Sequence, residues 1–218
     1  MKIGKLDVIN WVLGMSLTNL GVCFSTRSGF GLSMIGAVPY VLYVRISRVL
    51  PWFTQGTAEY FLEATLLAVT CLICRRFKPR FLLSFVTAVI AGFLIDGGFL
   101  LVGGNSVYEL LPARVGALAL GELLTALGLA FIFRSNMPKQ VYELTVVEMS
   151  DRFSADLNKV KRIFDYSMLL LAVLLSLVLT GKLTGIGVGT VFITAVNASL
   201  ITAFGRLVDK VEKKSAES

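Results

Sequence analysis

The chain contains no histidine and only three cysteines, Cys23, Cys71 and Cys74. Without histidine, catalytic triads that use an imidazole base and metalloprotease motifs that use imidazole ligands are excluded. Cys71 and Cys74 are separated by two residues in an apolar run that offers no further ligand, so a zinc site is not expected. The sequence therefore predicts no enzyme, no bound metal and no cofactor.

Charged residues are also scarce. They form 16% of the chain, whereas 56% is hydrophobic and the mean hydropathy is +0.78. A hydrocarbon layer about 30 Å thick is crossed by about 20 mostly apolar helical residues. Six runs approach or reach that length, at residues 8–26, 57–74, 81–102, 113–133, 163–180 and 186–204. Composition and run length thus predict an all-α polytopic membrane protein with six transmembrane helices.

The net charge of +7 does not indicate nucleic-acid binding, because the basic residues flank the apolar runs instead of lining one polar surface. Lys and Arg beside membrane spans indicate orientation, since they accumulate on the cytoplasmic side. With six spans, sixteen Lys and Arg lie on the side of the N-terminus and five on the other. We therefore predict that both termini are cytoplasmic.

One stretch of the chain occurs twice. Residues 14–28 and 121–135 are identical at eight of fifteen positions, at an offset of 107, whereas common residues match by chance at roughly one position in ten. Residues 85–89 match 192–196 at the same offset. An internal duplication explains both matches. We expect a single membrane domain over residues 1–218, with repeats at 8–102 and 113–205 and a polar basic tail at 206–218.

Residues 32–46 leave a seven-span alternative, in which the N-terminus lies outside and the basic residues divide 15 against 6. Charge alone does not decide between the two counts. The equivalent segment of the second half, within residues 138–162, is too polar to cross a bilayer and is expected in the interface or the cytosol. Three spans per half are therefore favoured. This predicts two inverted three-helix repeats, each with an interfacial or re-entrant helix, as in many transporters.

Several segments carry a family resemblance, among them LGVCFSTRSGFGLSMIGAVPYVL, FTQGTAEYFLEATLL and SFVTAVIAGFLID. On these segments the chain, from about residue 8 to 205, resembles the YczE/YitT-like superfamily of small bacterial integral membrane proteins. The resemblance implies a multi-pass protein of the bacterial inner membrane. It implies no reaction and no catalytic residues.

Carboxylates within the spans are the first candidates for function, because a buried charge costs several kcal/mol unless it is paired or faces water. Asp96 follows a long apolar run, and is either a proton- or cation-linked site or a structural partner near an interface. Glu59 and Glu63 lie on one helical face; they either exchange protons or complement a helix N-terminus. Glu122 replaces Met15 of the first repeat and either marks a specialised half or faces a polar seam.

Arg27 and Arg134 are the charged residues retained in both copies of the fifteen-residue match. Each precedes a turn that leads to another helix. A helix N-terminus with an arginine beside it can bind a phosphate or carboxylate, which predicts an anion site at each membrane face. The alternative is an arginine that ends a span and reaches the lipid headgroups.

These features predict a secondary transporter or lipid-headgroup translocator for a small anionic solute. Asp96, Glu63, Glu122 and Glu59 would line the path or couple it to an ion, and Arg27 and Arg134 would contact the anion. The alternative function is a non-transporting membrane subunit or scaffold that binds a partner through residues 138–162. Expected partners are membrane lipids and an unidentified solute; a homodimer or a partner protein stays open.

Overall fold

The computed structural model describes residues 4–216, and these form eight α-helices, a short 3₁₀ turn and no strand. The predicted all-helical class is confirmed. The helices are α1 Lys5–Ser28, α2 Ala37–Ile46, α3 Gln55–Cys74, α4 Arg80–Val102, α5 Leu111–Arg134, α6 Val141–Phe153, α7 Leu157–Thr180 and α8 Val188–Ala216, with the 3₁₀ turn Asn105–Tyr108 between α4 and α5.

Six of the described helices are long and apolar enough to cross a bilayer, namely α1, α3, α4, α5, α7 and α8. They coincide with the six predicted runs, and they indicate a multi-pass membrane protein. Helix α2 has 10 residues and is therefore about 15 Å long, half the thickness of the hydrocarbon layer. The seven-span alternative is wrong for this reason.

Local sequence explains several helix ends. Thr54 caps α3, because its hydroxyl oxygen accepts a hydrogen bond from the N–H of Thr57 at 3.0 Å. Pro112 lies in the first turn of α5, as predicted, where its missing N–H costs nothing. The tail predicted at residues 206–218 continues α8 as far as Ala216. Residues 217–218, and Lys2 of the charge count, lie outside the described residues.

The two halves of the chain contain the same succession of helices: long, short, long, long. The offset of 107 places α1 on α5, α2 on α6, α3 on α7 and α4 on α8. The helix contacts follow the same correspondence. Helix α3 packs on α6, and its equivalent α7 packs on α2. Likewise, α2 packs on α3, and α6 packs on α7. The order of helices agrees with the predicted duplication.

The compact units of the structure do not coincide with the repeats. Unit 1 combines Met1–Gly31, Gly97–Met137 and Val188–Ser218, which contribute α1, the end of α4, α5 and α8. Unit 2 combines Leu32–Asp96 and Pro138–Gly187, which contribute α2, α3, most of α4, α6 and α7. Each unit therefore takes helices from both halves.

In unit 1, helices α1 and α5 meet at their backbones through two pairs of glycines. A Cβ on Gly14 would lie 2.7 Å from the carbonyl oxygen of Gly128, and one on Gly21 would lie 2.5 Å from that of Gly121. Such approach requires glycine on both sides. Because 14 pairs with 128 and 21 with 121, the helices are antiparallel, and the offset of 107 converts one pair into the other.

The two ends of the α1–α5 pair are also held by equivalent contacts. Asp7, in the first turn of α1, accepts a hydrogen bond from the N–H of Asn136 at 2.9 Å, just after α5 ends. Arg114, its equivalent in α5, donates from Nε to the carbonyl oxygen of Ser28 at 2.7 Å, where α1 ends. Each helix therefore secures the C-terminal end of the other.

In unit 2, the short helices α2 and α6 both begin within one buried apolar cluster. Ala37 and Val38 of α2 join Val141 and Tyr142 of α6 there. The other buried members are Val146 of α6, Leu62 and Leu66 of α3, and Phe164, Met168 and Ala172 of α7. The cluster positions the N-terminal turns of two half-length helices inside the unit.

Candidate functional site

Helix α6 lies alongside α3 and begins level with its middle. The N–H of Val141 contacts Glu63, the Thr145 hydroxyl lies 2.8 Å from that of Thr70, and Glu148 pairs with Lys78 at 2.7 Å. Residue numbers rise together along both helices, so they are parallel. At 13 residues, α6 is about 20 Å long. It therefore runs alongside α3 from the middle of that helix to its C-terminal end.

The expectation that residues 138–162 lie in the interface or the cytosol stays a prediction, and one face of α6 is buried within unit 2. Two of its polar residues meet partners inside the unit. Thr145 pairs with Thr70, and Glu148, which is 3% exposed, pairs with Lys78. The Cys74 thiol also contacts the carbonyl oxygen of Glu148 at 3.7 Å. Hydropathy averaged along the segment missed these pairs.

Glu63 is the centre of the candidate site. It lies near the middle of α3 and is 0% exposed. Its Oε2 accepts a hydrogen bond from the N–H of Val141 at 2.8 Å. This N–H lies in the first turn of α6, where N–H groups have no partner within their own helix. Oε1 of Glu63 has no hydrogen-bond partner among the described residues.

Two further carboxylates and a phenol surround Glu63. Glu59 lies one turn earlier on the same face of α3, as predicted, and its Oε1 accepts a hydrogen bond from the Tyr142 hydroxyl at 3.2 Å. Glu143 of α6 interacts electrostatically with Glu63 and with Lys139 and Lys161. Its Oε2 is buried without a partner within residues 4–216.

Sequence reasoning missed Tyr142, Glu143 and the N–H of Val141. The apolar residues of the segment that recur at helical spacing include Val141, Leu144 and Val147, and this pattern does not point to the polar residues between them. The buried face in fact comprises Val141, Tyr142, Thr145, Val146 and Glu148. The available signal for a packed helix is that its buried face includes Thr145 and Glu148. A helix lying in the interface has no need to bury a threonine and a glutamate.

Asp96 acts at the other end of α3. Its Oδ2 accepts from the Thr54 hydroxyl at 2.6 Å, and its Oδ1 accepts from the N–H of Gly56 at 3.0 Å. Gly56 also approaches the backbone of Gly92 in α4, since a Cβ there would lie 2.0 Å from the Gly92 oxygen. Asp96 therefore stabilises the N-terminus of α3, which accounts for an acid at this position.

Glu122 lies in α5, within unit 1, and is 2% exposed. Its Oε1 is buried without a partner among the described residues. The structure assigns Glu122 to unit 1 and Glu59, Glu63 and Asp96 to unit 2. Of the predicted carboxylates, Glu59 and Glu63 are the two that the structure brings together with additional titratable groups.

The two retained arginines tie the first helix of each half to its last helix. Arg134 donates from Nε and Nη2 to Asp209 of α8, at 2.5 and 2.7 Å. Arg27 lies 5.0 Å above the ring of Phe99 in α4 and donates to the side chain of Asn105 just beyond it. These contacts give both arginines a structural role. Contact with an anion stays a prediction.

These features define a multi-pass membrane protein with a buried carboxylate cluster where α6 begins beside α3. Residues 6–206 match the model of a family described as "Family of unknown function (DUF6198)". The match covers most of the chain, and the protein belongs to that family. No curated protein and no solved structure matches it. The resemblance to the YczE/YitT-like superfamily stays a prediction.

Proposed function

We propose that this protein is a proton-coupled secondary transporter for a small anionic solute in the bacterial inner membrane. The observation that carries the proposal is Glu63, a fully buried carboxyl that holds the N-terminus of a helix beginning halfway along a span. Broken helices whose N-terminal ends lie near mid-membrane are typical of transporter sites for anionic groups.

The proposed coupling rests on competition for the first turn of α6. An ionised Glu63 satisfies the N–H of Val141 and the positive end of the helix dipole. A proton bound at Oε1 removes the negative charge and weakens that interaction. The carboxylate or phosphate of a solute then replaces Glu63 at the helix N-terminus. Proton and anion therefore enter together, and the cluster gains no net charge.

Glu59, Tyr142 and Glu143 supply the route for the proton. Tyr142 donates to Glu59, which lies one helical turn from Glu63. Glu143 interacts with Glu63 on one side and with Lys139 and Lys161 on the other. This arrangement supports Glu143 as the entry point, because it links the buried carboxyls to the basic residues that flank α6.

The predicted inverted repeat belongs to this proposal. It is supported by the antiparallel contact of α1 with α5 and by the exchange of glycine pairs at the offset of 107. In an inverted pair, the residues at the N-terminal ends of α1 and α5 lie on opposite sides of the membrane. Cysteines introduced at Lys5 and Glu109 should therefore be labelled by an impermeant maleimide from opposite sides. Labelling of both from one side contradicts the inversion.

Proton uptake into proteoliposomes tests the function. Vesicles containing a pH-sensitive dye are exposed in turn to inorganic phosphate, a monocarboxylate and a dicarboxylate. At least one anion should acidify the lumen with the wild type, and Glu63→Gln should abolish the acidification. Glu109→Gln is the matched control, since Glu109 is exposed. Equal acidification by Glu63→Gln and the wild type contradicts the role of Glu63.

The scaffold function is the second candidate, and it is supported by the outer face of α6. Phe153 is 63% exposed at the end of that helix, and the charged residues Asp151 and Arg152 beside it are exposed. A partner that binds there should co-purify in a fixed ratio and be lost with Phe153→Ser. A transporter that functions alone in proteoliposomes contradicts this alternative.

A further inference from the structure

Unit 1 contains an apolar recess of about 290 Å³ between α5 and α8. Helix α5 contributes Val115, Leu118 and Ala119, α8 contributes Val188 and Phe192, and Phe30 closes one end. The recess stays open, since Val188 is 81% exposed. Both helices are candidate spans, so the medium in contact with this opening is the lipid bilayer.

The Phe30 end of the recess is held by a backbone contact with α8. The N–H of Gly189, in the first turn of α8, donates to the carbonyl oxygen of Phe30 at 2.9 Å. A Cβ on Gly189 would lie 3.0 Å from the Phe30 oxygen and Cβ. This close approach holds the backbone of Phe30 against the start of α8.

Arg114 lies at the same end, in the first turn of α5. Its Nε donates to the Ser28 carbonyl oxygen at 2.7 Å, and its guanidinium carbon lies 4.6 Å from the centre of the Phe30 ring. Gly29, at φ +67°, leaves room for Nη2, because a Cβ there would lie 2.9 Å from that nitrogen. The guanidinium group is thus held in place through Nε and one face.

The four N–H bonds of Nη1 and Nη2 are the remaining donors of Arg114. A guanidinium edge with two parallel N–H groups fits a phosphate. Because α5 begins at Leu111, Arg114 lies at the headgroup level of a spanning helix. Val115, Leu118 and Ala119 follow within about 8 Å of rise, toward the hydrocarbon layer.

We propose that this recess is a specific phospholipid site. The lipid phosphate binds Arg114, and one acyl chain occupies the recess between α5 and α8. The proposal is independent of transport by unit 2. A snorkelling arginine alone does not explain the arrangement, because a snorkelling side chain is free to extend into solvent, whereas this guanidinium is held by Ser28 and Phe30.

Lipid binding to the delipidated full-length protein tests the site, with native mass spectrometry and thermal shift as readouts. The probes are phosphatidylglycerol, diacylglycerol and inorganic phosphate. Phosphatidylglycerol should bind and stabilise the wild type; diacylglycerol lacks the phosphate, and free phosphate lacks the chain, so each should bind roughly 10-fold or more weakly. Equal stabilisation by free phosphate points to a simple anion site, and equal binding of diacylglycerol points to a nonspecific groove; either result overturns the proposal.

Two variants separate the phosphate from the chain. Arg114→Gln should weaken phosphatidylglycerol binding, while Arg48→Gln, at an exposed arginine, should not. Ala119→Phe should fill the recess without touching Arg114, and Leu120→Phe, at an exposed neighbour outside the recess, is its control. If Arg114→Gln does not fold, Ala119→Phe still decides. An Ala119→Phe protein that binds as much phosphatidylglycerol as the wild type contradicts the site.

Discussion

Helices α2 and α6 occupy equivalent places in the two halves of the chain, but their first turns are satisfied differently. Before α2, the N–H of Gly36 bonds the nearby hydroxyl of Ser33 at 3.1 Å. At α6, the N–H of Val141 bonds Glu63 of another helix. The α7 residues equivalent to Glu59 and Glu63 are Tyr166 and Leu170, and both are exposed. The two halves therefore share an order of helices, and one of the two long helices compared carries the carboxylates.

Under the proposed function, the halves share a structural role, and the proton-linked residues belong to α3 and α6. The glycine contacts between α1 and α5 are matched on both sides of the repeat, as expected where only packing matters. At the offset of 107, one of the four site residues has an acidic or phenolic equivalent: Glu59 corresponds to Tyr166. Glu63, Tyr142 and Glu143 have no such equivalent in the other half.

The largest expected effect is on coupling, and it compares Glu63 with its equivalent in α7. Glu63→Gln keeps an oxygen that accepts from Val141 but cannot exchange a proton, so anion-driven acidification of proteoliposomes should be lost. Leu170→Gln should retain the wild-type rate, because Leu170 is exposed. Loss of acidification in both variants contradicts the division between the halves.

The next effect concerns the matched glycines. A Cβ on Gly128 would lie 2.6 Å from the Gly14 oxygen, and one on Gly21 would lie 2.5 Å from the Gly121 oxygen. Gly128→Ala and Gly21→Ala should each destabilise the protein by about 1–3 kcal/mol, lowering the melting temperature in detergent by roughly 2–12 °C.

Gly116→Ala is the control for these variants, because nothing lies within 4 Å of the added Cβ. It should leave the melting temperature unchanged or raise it, since alanine favours a helix over glycine by about 1 kcal/mol. A marked difference between Gly21→Ala and Gly128→Ala argues against the two-fold equivalence of the α1–α5 contact.

A comparable effect is expected at the ion pair near the C-terminal end of α6. Lys78→Met removes a partner of Glu148, which is buried, whereas Lys161→Met removes a partner of Asp165 in a more exposed pair on α7. We expect losses of about 1.5–3 kcal/mol for Lys78 and about 0.3–0.5 kcal/mol for Lys161 in the free energy of unfolding. Equal losses in chemical denaturation contradict the inserted position of α6.

The smallest effect compares the retained arginines. Arg134→Gln breaks the pair with Asp209, whose side chain is half exposed, so the loss should be about 0.2–1 kcal/mol and should shrink in high salt. Arg27→Gln removes contacts with Phe99 and Asn105 that involve no opposite charge. Its loss should not depend on salt, and melting temperatures at two ionic strengths distinguish the two.

The sequence by itself determined the membrane class, the six long helices and the common order of elements in the two halves. Run length and composition suffice for this, because a bilayer imposes one length on every apolar helix that crosses it. It also placed Glu59 and Glu63 on one face, since helical spacing is local.

Only the tertiary structure decided that α6 enters the bundle, that its first N–H meets Glu63, that Asp96 caps α3 and that the compact units mix the repeats. These features depend on pairing between residues 40 to 80 positions apart. Average polarity does not reveal such pairs, because a polar side chain is tolerated in apolar surroundings when a specific partner satisfies it.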